Sequence, residues 1–347
     1  GFTLQNSKTA PAPAAMTVLY EPSHVTEATV LFRWRGTVLP RVLGRPTLWL
    51  LVLFHGGLVY LRLYRDDIPL PPLPGRLLAL PSLLLVLFLA SYCAHCFSRY
   101  YSFYSSCTGM SGCVMAWVGL LRVHFPAASA VQLWNLSRLL VASVYLLYFH
   151  LAERAAASAK LVTEQEWMLL THTQLLSDEE VARLKAYRGF QPFLCQIWAL
   201  RAIMERLEAD PRKDPAAVIE PFQSQVLTLR GHCDDIVTAR AQPIPLAYFH
   251  TVTLLLSLNL LMTGYSMVEV GTEMTVPVFF VVCLFFLAIK ETAVALSDPF
   301  GGSDLDFNTD MFLASILSNT KAMLSSSANY VSTTLQLPSM KMSHLSA

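Results

Sequence analysis

The segment DPFGGSDLDF, Asp298 to Phe307, places Asp298, Ser303, Asp304 and Asp306 on a short stretch set by Pro299 and the Gly301-Gly302 pair. Hard oxygen donors of this kind suit calcium better than zinc. The same residues also read as a helix stop, in which proline ends the helix, glycine turns the chain and the acids face water. Composition leaves both readings open.

Other residues that could do chemistry are more easily assigned. The CAHC run pairs Cys93 and Cys96 one helical turn apart around His95, but a zinc site needs two further convergent ligands, so small residues in a helix are expected. Seven cysteines, an odd number dispersed through apolar stretches, read as reduced thiols. His55, His95, His150 and His250 sit in apolar runs with no two at metal spacing on one face, and are read as satisfied helix histidines. Lys290 and Glu291 would each cost about 2.5 to 3.5 kcal/mol at a bilayer centre, so they are expected to face protein near an interface. The sequence lacks GxSxG, HExxH, a phosphate-binding loop and a dinucleotide fingerprint, so no enzymatic constellation emerges.

The elements that must position these residues are those of a membrane protein. Hydrophobic residues make up 54% of the 347-residue chain and charged ones only 14%. A net charge of +1, with no basic patch interleaved with aromatics, gives no electrostatic reason to expect nucleic acid. Four stretches can span a bilayer, which takes about 20 mostly apolar residues: 46–64, 77–97, 243–267 and 276–296. Arg33, Arg35, Arg41 and Arg45 precede the first, whereas the loop between the third and fourth has no Lys or Arg, so both termini are expected in the cytosol.

Residues 99–242 read as a cytosolic helical region. Its apolar run Leu139 to Phe149 appears too short to cross a membrane and suits a buried core helix. Thr163 to Glu166 and Ser177 to Glu180 have the form of capping boxes at the starts of amphipathic helices. Pro211, Pro215 and Pro221 are expected to break up the following helical stretch. Strand alternation is nearly absent, so the fold class is all-α, and no repeat suggests a transporter built from two halves. Residues 1–15 read as an Ala/Pro linker ahead of a more natural start at Met16, as if the chain were cut from or fused to something longer. Residues 325–347 read as a C-terminal tail.

Along the second span, Leu83, Leu87 and Ser91 fall one turn apart and His95 continues the stripe. Such a stripe by itself more often faces lipid or other helices than a pore.

The chain resembles the bestrophins, a family of pentameric anion channels, over most of Met16 to Leu324. MTVLYEPSHV resembles the family's amino-terminal start, FRWRGTVLPRVL its motif before the first span, and SRYYSFY its arginine-aromatic signature after the second. PIPLAYFHTV is similar to the opening of the third span, and DPFGGSDLDF to the acidic cluster after the fourth. The resemblance implies a homopentamer in membrane lipid that passes chloride or similar anions through an apolar neck of the second span. That neck falls on Leu83, Leu87 and Ser91, or, in an alternative register, on Leu84 and Phe88. A cytosolic aperture would fall on Ala216 or Ala217. The resemblance also implies a calcium clasp, with Asp306 at one coordinating position, Ser303 at the other, Asp304 beside them, and backbone donors around Thr26, Ala295 and Asp298. Here the family's run of five acids is reduced to two, which weakens the expected affinity for calcium. Two other readings follow: the channel portion of a fusion gated by a covalently attached sensor such as a rhodopsin, or a non-conducting membrane scaffold.

Overall fold

The computed structural model describes residues 33–34, 36–65, 71–152, 162–209, 214–301 and 306–326, and every regular element among them is helical. A short helix α1, Leu39–Leu43, leads into α2, Pro46–Tyr64, whose N-terminal proline has the φ a helix start requires and lacks only an N–H that would be unpaired there. Then come α3 (Ala79–His124), α4 (Ala130–Leu151), α5 (Glu164–His172), α6 (Asp178–Ala186), α7 (Gln191–Glu208) and α8 (Pro215–Ala241). The last three are α9 (Leu246–Met267), α10 (Thr275–Ser297) and α11 (Thr309–Ser325). Helices occupy all four stretches read as spans.

The second span departs from expectation because its helix does not stop near Phe97. It runs unbroken for 46 residues, about 69 Å, more than twice the roughly 30 Å hydrocarbon core. The SRYYSFY stretch changes the helix's surroundings and not its backbone, since it contains neither proline nor a capping turn. Two apolar cores form along this rod. Its first half buries Leu85, Leu89, Tyr92 and Cys96 with residues of α2, α9 and α10, and from Phe103 onward it enters a second core with α4, α7, α8 and α11.

Helix α4 is the centre of the second core. At 22 residues it is long and apolar enough to cross a bilayer, so the length expected from the Leu139 to Phe149 run was an underestimate. Burial separates it from the spans: 61% of its most apolar window lies inside the protein, against 22% for each of the other four. From Leu139 to Tyr148 it is buried all round, as a core helix is. Two of the polar helices beside it begin with the expected capping boxes, Thr163 with Glu166 and Ser177 with Glu180, and α4 carries a third, Ser129 with Gln132.

Proline does not break α8. Pro215 opens it and Pro221 lies within it; the hydrogen bond Pro221 cannot donate would go to the carbonyl of Ala217, an exposed residue near the helix start where water can take its place. Pro211 lies outside the described residues.

One ion pair locks the body's outer helices to α4. The Arg138 guanidinium donates to both carboxylate oxygens of Glu180 at 2.7 and 2.8 Å and to the Leu175 carbonyl at 2.9 Å, while Glu180 also accepts from the Ser177 N–H at 2.8 Å. Burial pushes the Glu180 carboxyl up, but the bonds from Arg138 and Ser177 prevail and leave it below its ordinary value of 4.5. A carboxyl lowered in the folded state stabilises above its unfolded pKa and loses that contribution as pH falls through the folded one. Glu180→Ala is expected to cost about 3 kcal/mol, because it strands a partly buried guanidinium and removes a cap. Melting curves of the purified protein should show that loss at neutral pH and a smaller difference from the parent below about pH 4.5.

Candidate functional site

In the first half of α3 one face has no cover from the other described residues of the chain. Leu83 and Leu87 are 65% and 60% exposed, and Leu80, Ser91 and His95 are exposed beside them. The opposite face is fastened to α9. Asn259 donates to the Ser82 hydroxyl at 3.0 Å, and the Tyr248 hydroxyl to the Phe88 carbonyl at 3.3 Å. Above these, the Ser266 hydroxyl donates to the Leu73 carbonyl at 3.0 Å and the Tyr265 hydroxyl to the Pro71 carbonyl at 2.7 Å. In hydrocarbon such bonds hold helices together where the hydrophobic effect does not. Phe88 is half-buried with its ring 6.5 Å from that of Tyr248, whereas Leu84, 39% exposed, borders the open face. The two neck registers therefore differ in kind: Leu83, Leu87 and Ser91 share the open face, and Phe88 packs on α9.

The other spans hold this arrangement from behind. His55 of α2 is fully buried; its Nδ1 donates to the Gly264 carbonyl at 2.7 Å, its Nε2 lies 3.2 Å from the Thr275 hydroxyl, and its ring stacks on Phe279. Gly264 is needed there, since a Cβ would come within 2.8 Å of the Phe279 ring. Glu291 pairs with Arg45 at 3.1 Å and Lys290 lies over the Phe249 ring, so both charges face protein groups. All seven cysteines are free, and no three His, Cys, Asp or Glu side chains among the described residues are grouped to hold a metal.

Where the two cores meet, Arg99 of α3 ties together the ends of two spans. Its Nε donates to the Ser297 carbonyl at 2.7 Å, at the end of α10, and its Nη1 to the Gln242 carbonyl at 2.8 Å, just before α9. Arg240 of α8 reaches the same corner, pairing with Asp298 at 3.3 Å and donating to the Leu151 carbonyl. A cavity of about 420 Å³ opens beside these arginines, walled by Tyr92, Phe249 and Pro245. The DPFGGSDLDF segment is anchored here by its phenylalanines. The Phe307 N–H closes the turn on the Pro299 carbonyl at 2.8 Å, Phe300 meets Phe103 edge-on at 5.2 Å, and Phe307 meets Tyr100 at 4.9 Å. Phe300 and Phe307, matched to the rings of SRYYSFY, were the available sequence signal for this anchor, beside the oxygen donors and turn residues that suggested a clasp or a helix stop.

The expected calcium donors are only partly brought together. Asp306 is buried, and Ala295 has a carbonyl whose usual helical donor is missing because residue 299 is proline. Asp298 is engaged by Arg240. Thr26, Ser303 and Asp304 lie outside the described residues. Calcium takes six to eight oxygens, and the described donors do not make such a shell. Ala216 and Ala217 are exposed on the first turn of α8, where Asp214 caps the helix by accepting from the Ala216 N–H at 3.0 Å.

These features define a helical integral membrane protein in which one helix, α3, runs through both apolar cores. Residues 16–322 match the model of the family described as bacterial and fungal bestrophin proteins, and the chain belongs to that family. Its fold is similar to crystal structures of point variants of a bacterial bestrophin homologue from Klebsiella pneumoniae. One variant is 18% identical with a TM-score of 0.70, over 81% of this chain and 98% of the other. A second is 20% identical with a TM-score of 0.72, over 84% of this chain and all of the other. No curated protein matches the sequence. Bestrophins are channels and not enzymes, and this chain has the channel-type fold.

Arg99→Ala is expected to lower stability by about 2 to 4 kcal/mol, the loss of two charge-assisted bonds to backbone carbonyls. Arg99→Lys should recover only part of it, because an ammonium lacks the fork that reaches both. Thermal denaturation of the three purified proteins compares them.

Proposed function

We propose that this chain is the subunit of a homopentameric channel that passes chloride and similar anions down their gradient across a lipid bilayer. The observation that carries this reading is the open face of α3, with Leu83, Leu87 and Ser91 in line along a span whose opposite face is bonded to α9. Five such faces around an axis make an apolar constriction that excludes ions while dry and passes partly dehydrated anions when the helices move apart. Leucine and serine in place of rings make that neck wide, and Ala216 and Ala217 make any second aperture a weak constriction. The arginines before the first span favour the cytosolic side for both termini and the body.

In this reading the corner at the end of α10 is held by protein cations. Arg240 already neutralises Asp298, and Arg99 takes the Ser297 carbonyl, so a divalent ion brought to this corner meets two guanidinium groups. Reconstituted protein should therefore conduct to within about twofold equally in saturating calcium and in chelator, because a site short of anionic ligands is weak. A steep rise of flux with calcium would instead assign control to the acidic segment.

Chloride flux from proteoliposomes tests the channel itself. Leu87→Ala should raise flux about tenfold by lowering the dewetting barrier, roughly 1.4 kcal/mol at the neck. Absence of anion flux from the parent, or flux indifferent to Leu87 at equal protein density, would remove the proposal.

A further inference from the structure

A second cavity, of about 690 Å³, lies in the extramembrane body between α4, α6 and α7, apart from both the open face of α3 and the Arg99 corner. Its apolar lining comes from Leu136, Leu139 and Ala202, and its polar lining includes three arginines and two glutamates. The charges do not cancel. Arg138 is spent on Glu180 through two bonds, and Arg201 on Glu205 at 2.9 Å. Arg183 has no carboxylate partner among the described residues, and the Trp198 indole N–H, on the same cavity, has no acceptor among them.

The volume is within the range of small-molecule sites and far above the roughly 30 Å³ of one water, so a lone halide would not fill it. A guanidinium fork and an indole N–H lining one cavity are donors of the kind that the two oxygens of a carboxylate accept from. With Arg138 and Arg201 paired to Glu180 and Glu205, one positive charge unpaired among the described residues is left on the cavity, so a ligand with one negative charge is favoured. The limited apolar surface that Leu136, Leu139 and Ala202 leave on the cavity suits a small apolar body behind the carboxylate.

We propose that this cavity binds a small organic monocarboxylate with an aromatic or branched apolar body, its carboxylate on Arg183 and Trp198 and its apolar part against α4. The proposal concerns binding and does not depend on ion conduction.

Benzoate is the probe, with benzyl alcohol as its uncharged counterpart, titrated calorimetrically into the purified full-length chain in detergent. Benzoate should bind saturably and benzyl alcohol at least about tenfold more weakly, the difference of one charge-assisted interaction. Arg183→Gln, at an exposed position whose loss should leave folding intact, should weaken benzoate about tenfold, and Trp198→Phe should weaken it several-fold. Leu87→Ala should leave benzoate binding unchanged. Equal affinity in the parent and Arg183→Gln would overturn the proposal, as would binding lost in Leu87→Ala, which would place benzoate in the pore. A map of the assembled particle with a neighbouring subunit filling the cavity would overturn it as well.

Discussion

Backbone hydrogen bonds run without interruption through α3 from Ala79 to His124, and both apolar cores are built on that one helix. A continuous helix cannot rotate or tilt at one end while staying still at the other unless a kink absorbs the difference, and this one contains no interior kink-forming proline beyond its first turn. Packing in the body therefore sets the position of the open face in the membrane. The proposed neck and the Arg99 corner lie on the same rod, which allows a change at one to be felt at the other without any additional linkage.

What holds the rod is different in the two environments. In the body α3 is gripped by close apolar packing, with Trp117 edge-on to Phe222 and its indole N–H on the Leu136 carbonyl. Arg122 there caps the end of α11 through the Met323 and Leu324 carbonyls. In the membrane, where lipid is as apolar as leucine, discrete polar contacts do the orienting: Asn259 to Ser82, Tyr248 to Phe88, His55 to Gly264. The first two fix which face of α3 turns toward α9, and so by exclusion which face is left open; the third holds α2 against α9.

At the junction, guanidinium groups hold the end of α10, in the place where the family resemblance implies a calcium clasp. Arg99 and Arg240 satisfy carbonyl and carboxylate oxygens around the end of α10, while Phe300 and Phe307 insert the following segment into the aromatic part of α3. Arginine forks and buried rings hold this turn together, with Arg240 acting through the Asp298 carboxylate, in a segment with fewer acids than the family's.

The long helices over the four stretches read as spans, the capping boxes at Thr163 and Ser177, the free cysteines and the helical class were legible in the sequence because each depends on local composition or on residues three or four apart. The span beginning at Pro46 and ending at Tyr64 is an example: run length and flanking charge suffice for it. Other features needed the folded chain. Nothing local shows that α4, as apolar and long as a span, lies inside the body, since that depends on what surrounds it. Nothing near Asp298 in the sequence announces Arg240, and nothing near Glu180 announces Arg138, because those pairs join residues 58 and 42 positions apart. Hydrophobic content and helical period determine which segments form long apolar helices; which of those helices the protein encloses, which carboxylate is neutralised, and which face of α3 stays open were decided by long-range contacts that only the tertiary structure brings together.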